Sequence, residues 1–532
     1  MIKYFFLLFL LFPLPFFLSS CHKTESIEKP TYGGHLIIGD YYPIDIINPI
    51  ISSSGNSGFL IYTIFNGLVK PDEHFNVLPD LAYKWESSKD GMRWKFHLRK
   101  GVKFHDGKEL TAEDVEFTYD LIKNPKYRGY YTQFFEAVDQ VNIIDPYTIE
   151  IHLNQPYAPL LSGLTVGILP RHIYSGKNLL EPKINQRPIG TGPFKVLSYS
   201  PKELILEANK DYFENPPFLE RITFRIFKDQ KTLFSKMLEG SIDAVNDIDP
   251  ENIDILKQVS DFKLYKFLKP FYYIFAFQNK GIFKDRRVRI ALNYAINKKD
   301  LLKSILRDDG EIASGTVFPQ SWAYNKQNKP YPYDPQRALN LLHDAGWRDS
   351  NKNNIIDKNG LEFEFTILLK EGDSIEERSL LQIQADLNRL KIYAKTKKKS
   401  MKIINKNFLL KRKFDAIILS IAGRGDPDNN YKFWHSSQIS KGLNLFSYKN
   451  VKVDNYLENG RRVFDRNLRK NFYDQFQVEL FNDPPGVFLF WTNHIFVIHE
   501  RFKGVKIHHS WMFDLKNWHV PKKEQRKINK EN

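Results

Sequence analysis

The residues with the most chemical capacity stand together between Phe414 and Trp434, in FDAIILSIAGRGDPDNNYKFW. Arg424 supplies a planar, five-donor cation able to hold a carboxylate or a phosphate. Asp426 and Asp428 supply two carboxylates. Asp426, directly before Pro427, has two possible uses, an Asx turn or a ligand contact. The chemistry this set offers is binding. Nothing comparable supports turnover: no HExxH, paired CxxC or nucleophile-elbow sequence occurs, and His105-Asp106 and His508-His509 are too isolated to form a catalytic or metal constellation. Asp349, Asn351 and Asn353 have the opening spacing of a calcium loop. Asn354 then takes the glycine position and Gly360 stands where a bidentate glutamate should close the shell, so a polar loop is expected. The expectation is a protein with no enzymatic activity, no resident metal and no cofactor.

One thiol remains. Cys21 is the only cysteine, which excludes an internal disulfide and any metal site of several thiolates. It follows Lys3, an apolar run from Tyr4 to Leu18, and Ser19-Ser20, the form of a secretory signal peptide over residues 1–20. That run is too short and wrongly flanked for a spanning helix. Leu18-Ser19-Ser20-Cys21 looks like a bacterial lipobox, which implies cleavage before Cys21 and acylation of that residue. Residues 21–29 would then be a lipidated tether in the cell envelope, holding a soluble body at the extracytoplasmic or periplasmic face of a membrane.

The body must position the chemistry, and its elements are legible in part. Trp94, Phe96 and Leu98 alternate with Lys95, His97 and Arg99, the period-two pattern of a half-buried strand. After the Asp106-Gly107 turn, Thr111 and Asp114 have capping-box spacing, and Val115, Tyr119 and Ile122 share one helical face. Glu203 to Ala208, Arg221 to Phe227 and Phe271 to Phe277 read as strands, and Lys231 to Leu238 as a helix. The helix through Val288, Ala291, Leu292 and Ala295 leaves Arg286, Arg287 and Arg289 mainly off its buried face. Asp334 caps a helix that begins at Pro335 and ends at Gly346. Pro188 to Val196, with Gly190, Gly192 and Pro193, reads as a structural turn and not as a phosphate cradle.

A chain of 532 residues is several times the ~150 expected per domain, so two to four domains are expected. Aromatic residues at 14% are numerous enough to line surfaces or pockets as well as cores. The net charge is +16, and Lys391 to Lys413 holds ten Lys or Arg and no acid. That stretch either touches anionic headgroups or polyanions, or is a set of solvated faces between the folded positions Ile392, Ile403, Phe408 and Leu409. No nucleic-acid-binding module accompanies it, so no nucleic-acid partner is expected. The end from Lys522 reads as a disordered tail.

Five stretches carry a resemblance. GVKFHDGKELTAEDVEFTYD, with YGGHLIIGD, PIGTGPFKV, KDRRVRIALNYAIN and YDPQRALNLLHDAGW in that order, resembles the family 5 extracellular solute-binding proteins, the peptide and nickel receptors of bacterial ABC importers. The resemblance implies an α/β, two-lobed, periplasmic-binding-protein-like (class II) fold with an extra inserted subdomain. A discontinuous first lobe would comprise 30–68, 190–268 and 485–532, the inserted subdomain 69–189, and the second lobe 269–484. It implies a monomer that captures oligopeptides or dipeptides between hinged lobes and delivers them to a membrane permease with separate ATPase subunits. Same-fold receptors for nickel chelate, haem, opine or oligosaccharide, and a surface adhesin or sensor, are the alternatives. In peptide-binding relatives an Asp shortly before the DP element often pairs with the peptide's terminal ammonium. Here that position is Gly423, which sets this chain apart and leaves Arg424, Asp426 and Asp428 as neighbouring candidates. Tyr41, Trp322 and Trp434 are aromatic candidates by their place in the motifs.

Overall fold

Alternation and capping become structure where the sequence is most regular. Arg93–Leu98 is a strand that buries Trp94, Phe96 and Leu98. The Thr111 N–H donates to Asp114 Oδ2 at 3.0 Å, opening the helix Ala112–Lys123, whose Val115, Tyr119 and Ile122 are buried. The computed structural model describes residues 29–44, 46–51, 55–127, 129–249, 252–259, 261–423, 425–507 and 514–526. The signal segment, Cys21, Arg424 and His508-His509 lie outside these residues. Among the described residues no helix is long and apolar enough to cross a membrane.

One eleven-stranded sheet runs through most of the molecule. Its order is Tyr393–Lys399, Glu364–Lys370, Ala416–Ala422, Phe262–Phe277, Gly486–His499, Ala244–Val245, His35–Asp40, Arg221–Ile226, Glu203–Ala208 and Phe194–Ser200, with Gly310–Ile312 joining on Gly486–His499. The two central strands belong to both halves. Phe262 to Leu268 pairs with Asn493 to His499, and Phe271 to Phe277 pairs with Ala416 to Ala422 and with Gly486 to Trp491. Between these two registers, at Leu268/Tyr272, the ladder shifts. Lys269-Pro270-Phe271 is the extra chain that makes the bulge, and Pro270 has no N–H to offer a ladder. The strand predicted from Phe271 therefore begins nine residues earlier, at Phe262.

Apolar interiors divide along the same line. One cluster joins Leu36, Ile38 and Phe224 to Phe96, Val115 and Ile151, and is completed by Phe496, Trp518 and Val520 near the C-terminal end. Two others draw on residues between Leu268 and Trp491. Segment 69–189 has its own antiparallel sheet, in the order Ala82–Ser87, Arg93–Leu98, Thr148–Leu153, Val138–Asp145, but shares the first interior.

Gly190 and Gly192 are required by close approach. A methyl on either would sit 2.0 Å from Ile64 O or 2.5 Å from Ile64 C. His105 ties this turn down. Its Nδ1 accepts from Gly190 N–H at 3.2 Å, so its Nε2 donates to Gly192 O at 3.0 Å. Burial, outweighing that hydrogen bond, pushes the imidazole pKa down from 6.5 to about 4. The folded state therefore binds this proton less readily than the unfolded chain, and the stabilisation is complete above pH 6.5 and lost as pH falls from 6.5 toward 4. His105→Gln should flatten the acid side of the stability curve by roughly 2–3 kcal/mol, read as the pH dependence of thermal unfolding. An unchanged slope would contradict it.

Two expectations are corrected and a third is made more specific. Arg289 is buried, and its guanidinium donates to Pro484 O at 2.8 Å and to Phe283 O at 2.5 Å and pairs with Asp483. Local periodicity misplaced it because those partners lie mostly far along the chain. Lys522–Glu524 is a 3-10 turn, and Gln525 Nε2 donates to Tyr32 O at 3.2 Å, so the segment up to residue 526 is ordered. Lys391 and Lys398 are paired with Asp349 at 2.7 Å and Glu377 at 3.3 Å, and Lys395 is paired with Glu364, so part of the basic stretch is neutralised. The 349–353 loop is polar as expected, and no metal-capable cluster occurs among the described residues.

Candidate ligand-binding cleft

Ala416–Ala422 carries the chain from the interior of the second half to the bulge, where Gly423 N–H donates to Pro270 O at 2.9 Å. A methyl added at Gly423 would lie 2.5 Å from Trp491 Cη2 and 2.8 Å from Thr316 O. The position is filled by the indole of Trp491, itself 1% exposed and packed edge-on to Tyr272 and Phe318. No carboxylate fits there without displacing that ring.

Asp426 fulfils the turn reading and more. Its Oδ1 accepts from Asp428 N–H at 2.9 Å and lies 3.3 Å from Arg469 Nη2, while its Oδ2 accepts from Ser162 Oγ at 3.1 Å. Asp428 is 1% exposed, with Oδ1 2.8 Å from Arg461 Nε. Burial raises its pKa, and Arg461 is the main influence in the opposite direction. The Arg461 guanidinium lies 3.9 Å from the Tyr431 ring centre and 5.0 Å from that of Tyr157. The Tyr157 hydroxyl accepts from Arg461 Nη2 at 3.0 Å and has two acceptors for its one proton, Gln133 O at 2.8 Å and Asp428 Oδ2 at 3.1 Å.

These contacts join the two halves. Ala158 N–H donates to Arg461 O at 2.8 Å, Arg466 Nη1 reaches Asn76 Oδ1 at 2.5 Å, and Trp94 meets Phe464 with ring centres 5.7 Å apart. Asp426 and Asp428, both ligand candidates and the first also a candidate Asx turn, are engaged with protein groups as a clasp. Two further candidates move as well. Trp434 is fully buried, stacked on Phe446 in the core, and is not available to a ligand. Trp322 is half-buried under the guanidinium groups of Arg466 and Arg469, at 5.1 and 5.2 Å, where it supports the clasp.

Tyr41 directly follows the strand His35–Asp40. It lies beside Tyr42, ring centres 4.2 Å apart, and its hydroxyl donates to Tyr42 at 2.9 Å. Burial, then Tyr42, then Asp247 and Asp249, hold that hydroxyl neutral. Near Tyr42, Tyr273 stands on the long strand Phe262–Phe277. Burial raises its pKa too, and the charges that add to the effect come from both halves, Asp373 and Glu376 from one, Tyr42 and Asp247 from the other. At the bulge itself Lys269 Nζ pairs with Asp247 Oδ2 at 2.6 Å. Tyr41, Tyr42 and Tyr273 thus gather with the Lys269–Asp247 pair about the bulge, aromatic and charged groups of the kind that suit an amphipathic solute. Sequence reasoning missed Tyr157, Arg461, Arg469, Asp247, Lys269 and Trp491. Only Trp491 carried a usable signal, as a large aromatic residue inside an apolar strand.

Comparison with known proteins places this architecture. The family profile described as bacterial extracellular solute-binding proteins, family 5 Middle, matches residues 76–442. The oligopeptide-binding protein AppA of Bacillus subtilis is 30% identical, over 97% of this chain and 98% of the relative. Its structure in complex with a nonapeptide superposes with a TM-score of 0.80 at 29% identity, covering 93% of this chain and 100% of AppA. NikZ from Campylobacter jejuni, in complex with Ni(L-His), superposes with a TM-score of 0.80 at 30% identity, covering 91% of this chain and 99% of NikZ.

Proposed function

This chain belongs to the bacterial extracellular solute-binding proteins of family 5, and we propose that it is the receptor of an ABC importer for oligopeptides or dipeptides. It captures them between its two lobes and hands them to a membrane permease driven by separate ATPase subunits. The observation that carries the reading is the pair of strands, Phe262–Phe277 and Gly486–His499, shared by both halves and interrupted at Lys269-Pro270-Phe271, with Tyr42 and Tyr273 close to that interruption. Closure follows ligand binding only if the ligand meets both walls and so favours the closed state. AppA's nonapeptide supports a peptide as the solute.

The lobes are proposed to comprise 30–68, 190–268 and 485–532 on one side, with 69–189 inserted, and 269–484 on the other. The return crossing would fall near Thr492, where the pairing of Gly486–His499 passes from one half to the other. Acylation at Cys21 would hold a monomer at the outer face of a membrane. A non-peptide solute is the second reading, and the filled position at Gly423 favours it, since a free terminal ammonium loses its usual carboxylate there.

Mass spectrometry of the small molecule released by denaturing the purified protein decides between the two. A ladder of short peptides is expected. A single non-peptide or phosphorylated species would overturn the peptide assignment and make Arg424 the leading specificity residue.

A further inference from the structure

The far end of the second lobe carries a feature that solute capture does not use. Ala416 lies opposite Phe277 in the ladder, so the chain just before Ala416 and just after Phe277 is at the end of the sheet remote from the bulge. A groove of about 1240 Å³ opens there. Its floor spans adjacent strands at Phe365, Thr366 and Asp415, Lys397 flanks it from the edge strand, and Lys280 and Lys284 flank it from the segment after Phe277. We propose that this groove binds a phosphate-bearing group.

Charge bookkeeping among the lining residues favours an anion. Of the three acids two are paired with cations, Asp285 with Arg287 at 2.6 Å and Glu364 with Lys395, while Asp415 accepts from Thr366 N–H at 2.9 Å and keeps its charge. Lys358 donates to Ala345 O at 2.7 Å, and Lys397 lies 4.9 Å from the Phe408 ring centre. Lys280, Lys284 and Lys413 are exposed and make no ion pair among the described residues. Three unpaired ammonium groups thus stand around one concavity against a single carboxylate without a cation, Asp415, an excess of positive charge that phosphate oxygens relieve.

Two buried atoms of the lining point the same way. Arg412 Nε has no hydrogen-bond partner, and Gln278, 5% exposed, leaves its side-chain carbonyl unpartnered because its amide nitrogen is turned to Leu445 O at 3.2 Å and Arg412 O at 3.4 Å. An unmet donor and an unmet acceptor on two residues of one lining fit an ester of phosphate that also carries a hydroxyl. Part of the basic stretch from Lys391 to Lys413 thereby gains a use, in Lys397, Arg412 and Lys413.

Such a group comes either from a soluble phosphate ester or from a phospholipid headgroup. The test compares the protein with its Lys280→Ala/Lys284→Ala/Lys413→Ala variant, using glycerol 1-phosphate in solution and phosphatidylglycerol vesicles as probes. A second triple variant, at the exposed Lys89, Lys108 and Lys177, is the control for general charge. The groove variant should bind the phosphate probe on the order of 100-fold more weakly, with an unchanged melting temperature, while the control loses far less. Saturation by glycerol 1-phosphate with no gain from vesicles assigns the soluble source, and binding to vesicles alone assigns the lipid. Equal loss in both variants overturns the site, as does the absence of phosphate binding by the parent. Groove-dependent binding of polyglutamate without phosphate binding overturns it in favour of an acidic protein segment.

Discussion

Tyr157→Phe should weaken solute binding by roughly 10- to 100-fold while lowering the melting temperature by no more than about 2–4 °C. The hydroxyl sits at the meeting of the two halves, held by Arg461 at 3.0 Å and beside Asp428 Oδ2 at 3.1 Å. Each half keeps its own apolar interior in the variant, so most of the folding free energy is untouched. What changes is the free energy of bringing the halves together, and a solute that binds the closed arrangement loses affinity by the same amount. Arg461→Ala goes further, since it leaves Asp428, 1% exposed, without its counter-ion. Breaking a buried pair from one side costs about 3–5 kcal/mol. Calorimetric titration and thermal unfolding separate the two effects, and a Tyr157→Phe variant with parental affinity would show that the clasp is idle.

Gly423→Asp, which restores the acid at the position where peptide-binding relatives often have one, is expected to destabilise and not to improve peptide binding. Its Cβ would meet Trp491 Cη2 at 2.5 Å and Thr316 O at 2.8 Å. Overpacking of this kind costs about 1–3 kcal/mol, and a carboxylate among Trp491, Phe318 and Tyr272 adds the penalty of an unpaired buried charge. A loss of about 3–5 kcal/mol follows, with weaker binding of a free-amine tripeptide. Parental stability together with tighter tripeptide binding would refute the account and mean that the indole swings aside readily.

Legibility tracked the distance between partners. The helix from Ala112 was readable because its cap and stripe lie within twelve residues, and so was the turn at Pro188 to Val196, although its cause, the carbonyl of Ile64, was not. Phe262 to Leu268 was missed as strand because Lys263, Lys266 and Lys269 interrupt its apolar residues, and Pro270 reads as a stop. In fact the proline marks only the bulge. The clasp was invisible for the opposite reason. Asp428 was singled out as a ligand candidate, but its partners Tyr157 and Arg461 are separated from it in the chain, and nothing in either local pattern announces the pairing. Trp434 was misjudged because an aromatic residue near a glycine-rich loop looks the same whether it faces solvent or core.

The order of strands in the large sheet also has a consequence in time. Gly486–His499 lies between Phe262–Phe277 and Ala244–Val245, and Trp518 and Val520 help complete the first interior. A strand made about 450 residues after His35–Asp40 is thus one that joins the halves. Translation at ~5–20 residues per second leaves His35–Asp40 waiting on the order of half a minute or longer for that strand to exist. Until it does, the long strand at Phe262 lacks its main partner and the sheet stays in two pieces. A polypeptide bound for the outside of a cell gains from that delay, since a chain that cannot finish folding remains threadable.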